Sequence, residues 1–279
     1  MTEAEFPNGA MRLYAIIGDP VSQVKSPAAL TQRFREGGTN AALVPLHVPA
    51  AHLAEVFASL RLLGNLDGMV ITVPHKVRMA ELVDSVSERA RLVGAINLAR
   101  READGRWHGD MADGVGFCRG LAANGFDPAG RKAFVLGTGG AGSAVTVELA
   151  RLGAAVRIHD VAPGRAQGLA DRLREAGFDA AAVEGADPAG ADLVVNATPL
   201  GMRAGDALPI DPALLLPDMF VADVVIRPPL TPFLEQARAR GCRVQAGEAV
   251  MLHQLDAMVA FFLGAPEVSA SAAATPPGD

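Results

Sequence analysis

The stretch from Ala133 to Asp160, AFVLGTGGAGSAVTVELARLGAAVRIHD, constrains the fold of this chain more than any other. An apolar run breaks into glycines, takes on helical spacing, turns at Gly153 and continues through a second apolar segment to an acid. The order is strand, loop, helix, strand. Gly137, Gly139 and Gly142 stand in G-x-G-x-x-G spacing at the loop. The first glycine permits a tight turn, the second lets backbone approach a pyrophosphate, and the third allows the helix to pack close to the strand. The helix N-terminus adds unpaired N–H groups and the positive end of its dipole. The loop, including Gly140 and Ala141, is therefore expected to hold a dinucleotide. Asp160 ends the second strand roughly twenty residues on, where a ribose is read. A carboxylate accepts hydrogen bonds from the ribose hydroxyls and repels a 2′-phosphate. The next residues, Val161, Ala162 and Pro163, bring no cation before Arg165. The expected cofactor is NAD in preference to NADP. The structural alternative for Asp160 is a cap on a helix opening at Pro163.

Strand-sized and helix-sized patterns alternate along the rest of the chain. LYAIIG, AALVPLHV and GMVITVP read as strands; SPAALTQRFREGG, PAAHLAEVFASLRLLG and HKVRMAELVD read as helices. From Asp113 a helix, DGVGFCRGLAANG, opens the nucleotide unit, which continues through DLVVNATPLGM, MFVADVVI and CRVQAG. Such alternation implies parallel sheets covered on both faces. The fold class is α/β, with two α/β domains and a cleft between them: an N-terminal substrate domain and a Rossmann-type dinucleotide-binding domain. The boundaries are 1–112 for the substrate domain and 113–247 for the Rossmann domain. Residues 248–265 form an apolar terminal helix packing back on the substrate domain, and 266–279, rich in Ala, Ser and Pro, a disordered tail. In 279 residues, half of them hydrophobic, there is ample material for two cores. A net charge of −6 argues against nucleic acid as a partner. No apolar run reaches membrane-spanning length, and MTEAEFPNGA lacks the pattern of a secretory leader, so the expected location is cytoplasmic. The six histidines show no ligand spacing and no metal is expected.

Three segments outside the glycine loop carry more chemistry. Of 25 basic residues only Lys25, Lys76 and Lys132 are lysines. A lysine can change protonation near neutral pH in a suitable site, and an arginine cannot. Lys76 follows a strand and a proline in GMVITVPHK; Asn97 lies in GAIN; Asp113 lies in GDMADGVGF. By themselves these could be a solvent-facing lysine, a turn residue and a helix N-cap. Together with YAIIGDPVSQVKSP, VNATPLGM, TPFL and GEAVMLHQ they resemble the shikimate dehydrogenase family, quinate/shikimate members included, over nearly the whole chain. The resemblance implies an NAD(P)-dependent oxidoreductase that interconverts a ring secondary alcohol and a ketone, and links the chain to aromatic amino acid biosynthesis. It implies that Lys76 and Asp113 handle the hydroxyl proton and that Ser26, Thr72, Asn97 and Gln254 bind a cyclic hydroxy acid or a relative of one. Asn196 and Thr198 of VNATPLGM are implied beside the cofactor. A homodimer is compatible with the sequence.

Several positions depart from the family pattern. Val24 replaces the first serine of S-x-S-P, Ile226 a tyrosine, Val70 an asparagine and Ala112 a threonine. Each removes a polar partner, so quinate, a related ring acid or a substrate with a less polar head group stands beside shikimate. The Asp160-Val161-Ala162 run replaces Asn-Arg-Thr, in line with NAD and a catabolic or specialised role. Two other readings share the scaffold: a methylene-tetrahydrofolate dehydrogenase relative, and a catalytically silent ligand sensor. Retention of Asn97, Asp113 and Gln254 speaks against the first, and of the Lys76 and Asp113 pair against the second.

Overall fold

The computed structural model describes residues 7–264; the stretch 266–279, expected to be a disordered tail, lies outside them. The chain divides into two units, one running to Met111 and resuming at Leu255, the other Ala112–Gln254.

The first unit is built on β1 (Arg12–Gly18), β2 (Ala41–His47), β3 (Leu66–Ile71), β4 (Ser85–Val86), β5 (Leu98–Arg101) and β6 (Trp107–Asp110), in the order β2-β1-β3-β5-β6-β4. The apolar run of β1 is buried almost throughout because β2 and β3 flank it in parallel and helices cover both faces. Helix α1 (Ser26–Glu36) starts with Pro27 in its first turn, where a missing N–H is tolerated, and buries Leu30 and Phe34. A short 3₁₀ turn, Ala50–His52, leads into α2 (Leu53–Leu60), and α3 (Lys76–Leu82) follows β3 directly. The Ser87 hydroxyl accepts from the Ala90 N–H at the start of α4 (Glu88–Val93), and Gly94, at φ +77, ends it.

The wholly parallel arrangement expected from the alternation fails at one side of this sheet. β5 runs antiparallel to both β3 and β6. The reason is local: a tight turn at Glu102–Arg106, closed by Gly105 and the Asp104 carboxylate, joins β5 to β6 with no helix between them. β4 and β6 are too short and too polar to announce themselves in the sequence.

The second unit has the expected parallel sheet. Its strands are β7 (Lys132–Leu136), β8 (Ala155–His159), β9 (Ala180–Ala182), β10 (Leu193–Asn196), β11 (Phe220–Asp223) and β12 (Arg243–Gln245), in the order β12-β11-β10-β7-β8-β9. The order reverses direction at β7, whose carboxyl end is therefore a topological switch point, the usual ligand position in such sheets. The helices are α5 (Asp113–Ala123), α6 (Gly140–Arg151), α7 (Arg165–Glu175) and α8 (Pro232–Ala239). The last helix, α9 (Glu248–Phe262), contains the boundary between the two groups of residues, at Gln254 and Leu255. In the first unit, its Phe262 ring lies 4.7 Å from the Tyr14 ring, which stacks on Phe34. Gly68 admits that ring: a Cβ there would stand 2.7 Å from Phe262 Cδ1. Among the described residues no helix is long and apolar enough to cross a membrane.

Candidate functional site

In the first unit, the carboxyl ends of β1 and β3 and the amino end of the antiparallel β5 share one edge of the sheet. Backbone hydrogen bonds interlock the segments there. Thr72 N–H donates to the Ile17 carbonyl (3.0 Å), Ile71 N–H to the Asn97 carbonyl (2.7 Å), and Ile96 N–H to the Lys76 carbonyl (3.0 Å). Thr72 and Lys76, on the turn that follows β3, are thereby brought together with Asn97, just before β5. Gly18 permits the closure, since a Cβ on it would lie 2.5 Å from Thr72 Cγ2. Asn97 is buried; Lys76, the first residue of α3, is half-buried, as are Thr72 and Ser26. Ser26 opens α1 after the loop that leaves β1 and is not its cap, which is Lys25. The hydroxyls of Ser26 and Thr72 have no protein hydrogen bond among the described residues, so both are open to a ligand.

The second unit joins two more of the expected residues. Gln254 Nε2 donates to Asp113 Oδ1 at 2.7 Å. Asp113 is not the N-cap of α5, the structural alternative for it: Ala112 holds that position, without a side-chain cap. The closeness of Asp113 and Gln254 depends on glycines whose role the sequence does not announce. A Cβ on Gly116 would come within 2.6 Å of the Val250 carbonyl oxygen and 2.8 Å of Gln254 Cβ. One on Gly120 would meet Ala249 Cβ at 3.1 Å. Gly114 faces the other way, 2.2 Å from the Ala144 oxygen by the same construction. The spacing in DGVGFCRG thus lets α5 take α6 on one side and α9 on the other at short range. Only the packing reveals which glycine serves which neighbour.

The glycine loop has the form its sequence requires. Gly137 adopts φ +92 and lies against Ala197. A Cβ on Gly142 would stand 2.0 Å from the Gly137 oxygen, so only glycine closes this turn. Gly139, Gly140 and Ala141 are exposed, and nothing within 4 Å would meet a Cβ on Gly139 or Gly140. The N-terminus of α6 has no side-chain cap, leaving its first-turn N–H groups to face this open space. Ser143 is turned inward, donating to the Thr138 carbonyl at 3.0 Å. These features fit a dinucleotide pyrophosphate.

Asp160 follows β8 and is half-buried. Its Oδ2 accepts from the Thr138 N–H (2.7 Å) and hydroxyl (2.6 Å), and its Oδ1 from the Ala162 N–H (2.8 Å). Burial pushes its pKa up, but these bonds and Arg165 outweigh burial and hold the carboxyl below the usual carboxylate range. Asp160 does not cap the next helix, because α7 begins at Arg165, after Gly164. It braces the glycine loop instead. With three of about four acceptor sites taken, room for a ribose hydroxyl remains.

Asn196 is fully buried. Its amide donates to the Leu200 carbonyl (3.1 Å) and to Asp223 (3.2 Å), and its oxygen accepts from the Thr198 N–H (3.1 Å) and hydroxyl (2.6 Å). The amide therefore shapes the loop after β10, which packs on Gly137 and Gly142, and is committed to protein groups. Asp223 completes the network with the Thr231 hydroxyl (2.7 Å) and the Val225 N–H (2.8 Å). Burial raises its pKa despite those donors. Its counterpart in the first unit is Asp110, held by Arg89 Nε and Nη2 (2.9 and 2.6 Å) and the Met111 N–H (2.7 Å). Burial opposes ionisation there too, but the guanidinium prevails and the carboxyl lies below its ordinary range. Neither acid stood out in the sequence, because a lone Asp carries no mark of burial.

Residues 16–99 match the family described as the shikimate dehydrogenase substrate binding domain. The chain is 42% identical over 253 residues to the shikimate dehydrogenase (NADP(+)) of Rubrobacter xylanophilus, covering 88% of this chain and 89% of that one. Among solved structures, the shikimate 5-dehydrogenase of Listeria monocytogenes in complex with shikimate and NAD is similar with a TM-score of 0.87 and 27% identity, over 97% of both chains. The quinate dehydrogenase of Corynebacterium glutamicum in complex with NAD is similar with a TM-score of 0.82 and 30% identity, over 94% of this chain and 97% of that one.

Proposed function

Because this chain belongs to the shikimate dehydrogenase family, we propose that it is an NAD-preferring dehydrogenase of a shikimate- or quinate-like ring acid, with Lys76 and Asp113 handling the proton of the reacting hydroxyl. The observation that carries the reading is the meeting of Thr72, Lys76 and Asn97 at one edge of the first sheet, bound by the Ile71–Asn97 and Ile96–Lys76 backbone bonds. A ring polyol needs donors and acceptors on several carbons, and this edge has both kinds: the Asn97 amide, two open hydroxyls and an ammonium.

A bound nicotinamide supplies the hydride acceptor or donor. The chain's own residues do the rest. Lys76 takes the hydroxyl proton at Nζ in oxidation and returns it in reduction. Asp113 accepts a hydrogen bond from the substrate, and Gln254, donating to its Oδ1, fixes which oxygen faces the ring. The exposed N–H groups at Gly139–Ala141 bind phosphate, and Asp160 accepts from the ribose.

The relative from Rubrobacter is an NADP(+) enzyme by name; the NAD preference proposed here rests on the Asp160 carboxylate at the end of β8, with Val161 and Ala162 beyond it, which would repel a 2′-phosphate. The experiment is a panel of shikimate, quinate and their esters, assayed with NAD and NADP separately, on the wild type and on Asp160→Ser. The wild type is expected to favour NAD, and the variant to lose about tenfold to a hundredfold of that preference, one charge repulsion being worth about 1–3 kcal/mol in a half-buried site. An unchanged ratio of kcat/KM for the two cofactors would remove Asp160 from the choice.

A further inference from the structure

His75 precedes Lys76 and is 1% exposed. Its surroundings make that burial informative. Val73, Pro74, Val77 and Arg78 are exposed, and Thr72 and Lys76 are half-buried. Between Ile71 and Met79, His75 is the one buried side chain. It is held by a hydrogen bond from Nε2 to the Val48 carbonyl oxygen, 2.7 Å. Val48 is itself buried and lies just past β2, the outermost strand of the sheet, and its N–H donates to the Gly18 carbonyl (3.1 Å) at the end of β1. The His75 backbone is tied as well: its N–H donates to Thr72 (2.9 Å) and its carbonyl accepts from Met79 (2.8 Å). Since a carbonyl can only accept, the proton is on Nε2.

From this geometry we infer that His75 is a positioning residue for the proton-transfer lysine, acting through the short turn that carries Lys76. The inference rests on the reading of Lys76 given above. The ring pins one side of Lys76 to the β2 end, and the Ile96 N–H, on the Lys76 carbonyl, pins the other. Without the ring, the turn would keep its backbone hydrogen bonds but lose the one buried side chain between Ile71 and Met79 that holds it against the end of β2, and the amine would sample a wider region. Misplacement of a reacting group by about 1 Å lowers turnover by about a hundredfold. An apolar residue of similar size would fill the space yet leave the Val48 carbonyl without its donor. Glutamine keeps an N–H of comparable reach.

The test compares His75→Phe, His75→Gln and Lys76→Ala in the full-length chain, by steady-state kinetics with whichever substrate of the panel turns over and by dissociation constants for NAD. His75→Phe is expected to lower kcat by about 10- to 100-fold with the NAD dissociation constant unchanged, and His75→Gln to recover most of kcat. The rate at which trinitrobenzenesulfonate labels residue 76, followed by peptide mass spectrometry, should rise in the Phe variant and return in Gln. If His75→Phe does not fold, the labelling rate and kcat of the Gln variant against His75→Asn, whose amide is too short to reach, decide the matter. Normal kcat in His75→Phe, or in His75→Asn, overturns the inference. Normal kcat in Lys76→Ala overturns the reading beneath it, and the two failures are distinguished by which variant stays active.

Discussion

The two sheets present their carboxyl edges in opposite ways. The first offers side chains from three segments: Ser26, the Thr72–Lys76 turn and Asn97, each of interest for the groups it carries. The second offers backbone: the glycine loop is useful because Gly137, Gly139 and Gly142 have nothing beyond Cα, and its neighbours Asp160 and Asn196 hold the shape of loops. An edge made of side chains recognises the particular hydroxyls of one molecule. An edge made of N–H groups recognises phosphate, which many molecules share. The difference predicts where variation changes the reaction and where it removes a common cofactor.

The sharpest way to break this comparison is Lys76→Ala. The expected loss in kcat is about two to four orders of magnitude, as for a missing acid–base group, with NAD affinity measured by titration calorimetry left intact. Weakened NAD binding with normal turnover would mean that the two edges do not divide the work as described. Next is Gly142→Ala. The added carbon meets the Gly137 oxygen, and forcing the loop apart costs about 1–3 kcal/mol. NAD should bind roughly 10- to 100-fold more weakly, while quenching or calorimetry reports ring-acid binding to the first unit unchanged.

The smallest effect distinguishes the two buried carboxylates. The Asp110 carboxyl is held below its ordinary range, so the stability it contributes is present above that range and is lost as pH falls through its depressed value. Asp223 is raised by burial, so its native form favours the proton. Its contribution is present below the ordinary carboxylate range and declines as pH rises toward the raised value. Urea unfolding between about pH 3 and 7 should therefore show two slopes of opposite sign. Asp223→Asn is expected to flatten the decline on the upper side, and Asp110→Asn the loss on the acid side. Slopes unchanged in both variants would show that other groups set the pH dependence.

Some of this was written plainly along the chain. The glycine loop could be read because close approach and positive φ exclude every other residue type, so the requirement appears as glycine itself. Alternation of apolar runs with helical spacing was enough for the α/β class, because periodicity is a local property. GAINLARRE reads as a strand with a polar turn after it, but β6 and the antiparallel direction of β5 were hidden: a strand of four residues with polar positions carries little periodicity, and a turn without a helix reverses the chain where a crossover was expected. Lys76, Asn97 and Asp113 could be singled out by residue type and by family resemblance, not by any local rule. Tertiary structure alone decided that His75 is buried against the end of β2, that Asn196 faces inward to Asp223, and that Gly116 lets Gln254 reach Asp113. These are contacts between segments distant in sequence. Local composition fixes what a segment prefers, and only packing fixes which distant partner satisfies it.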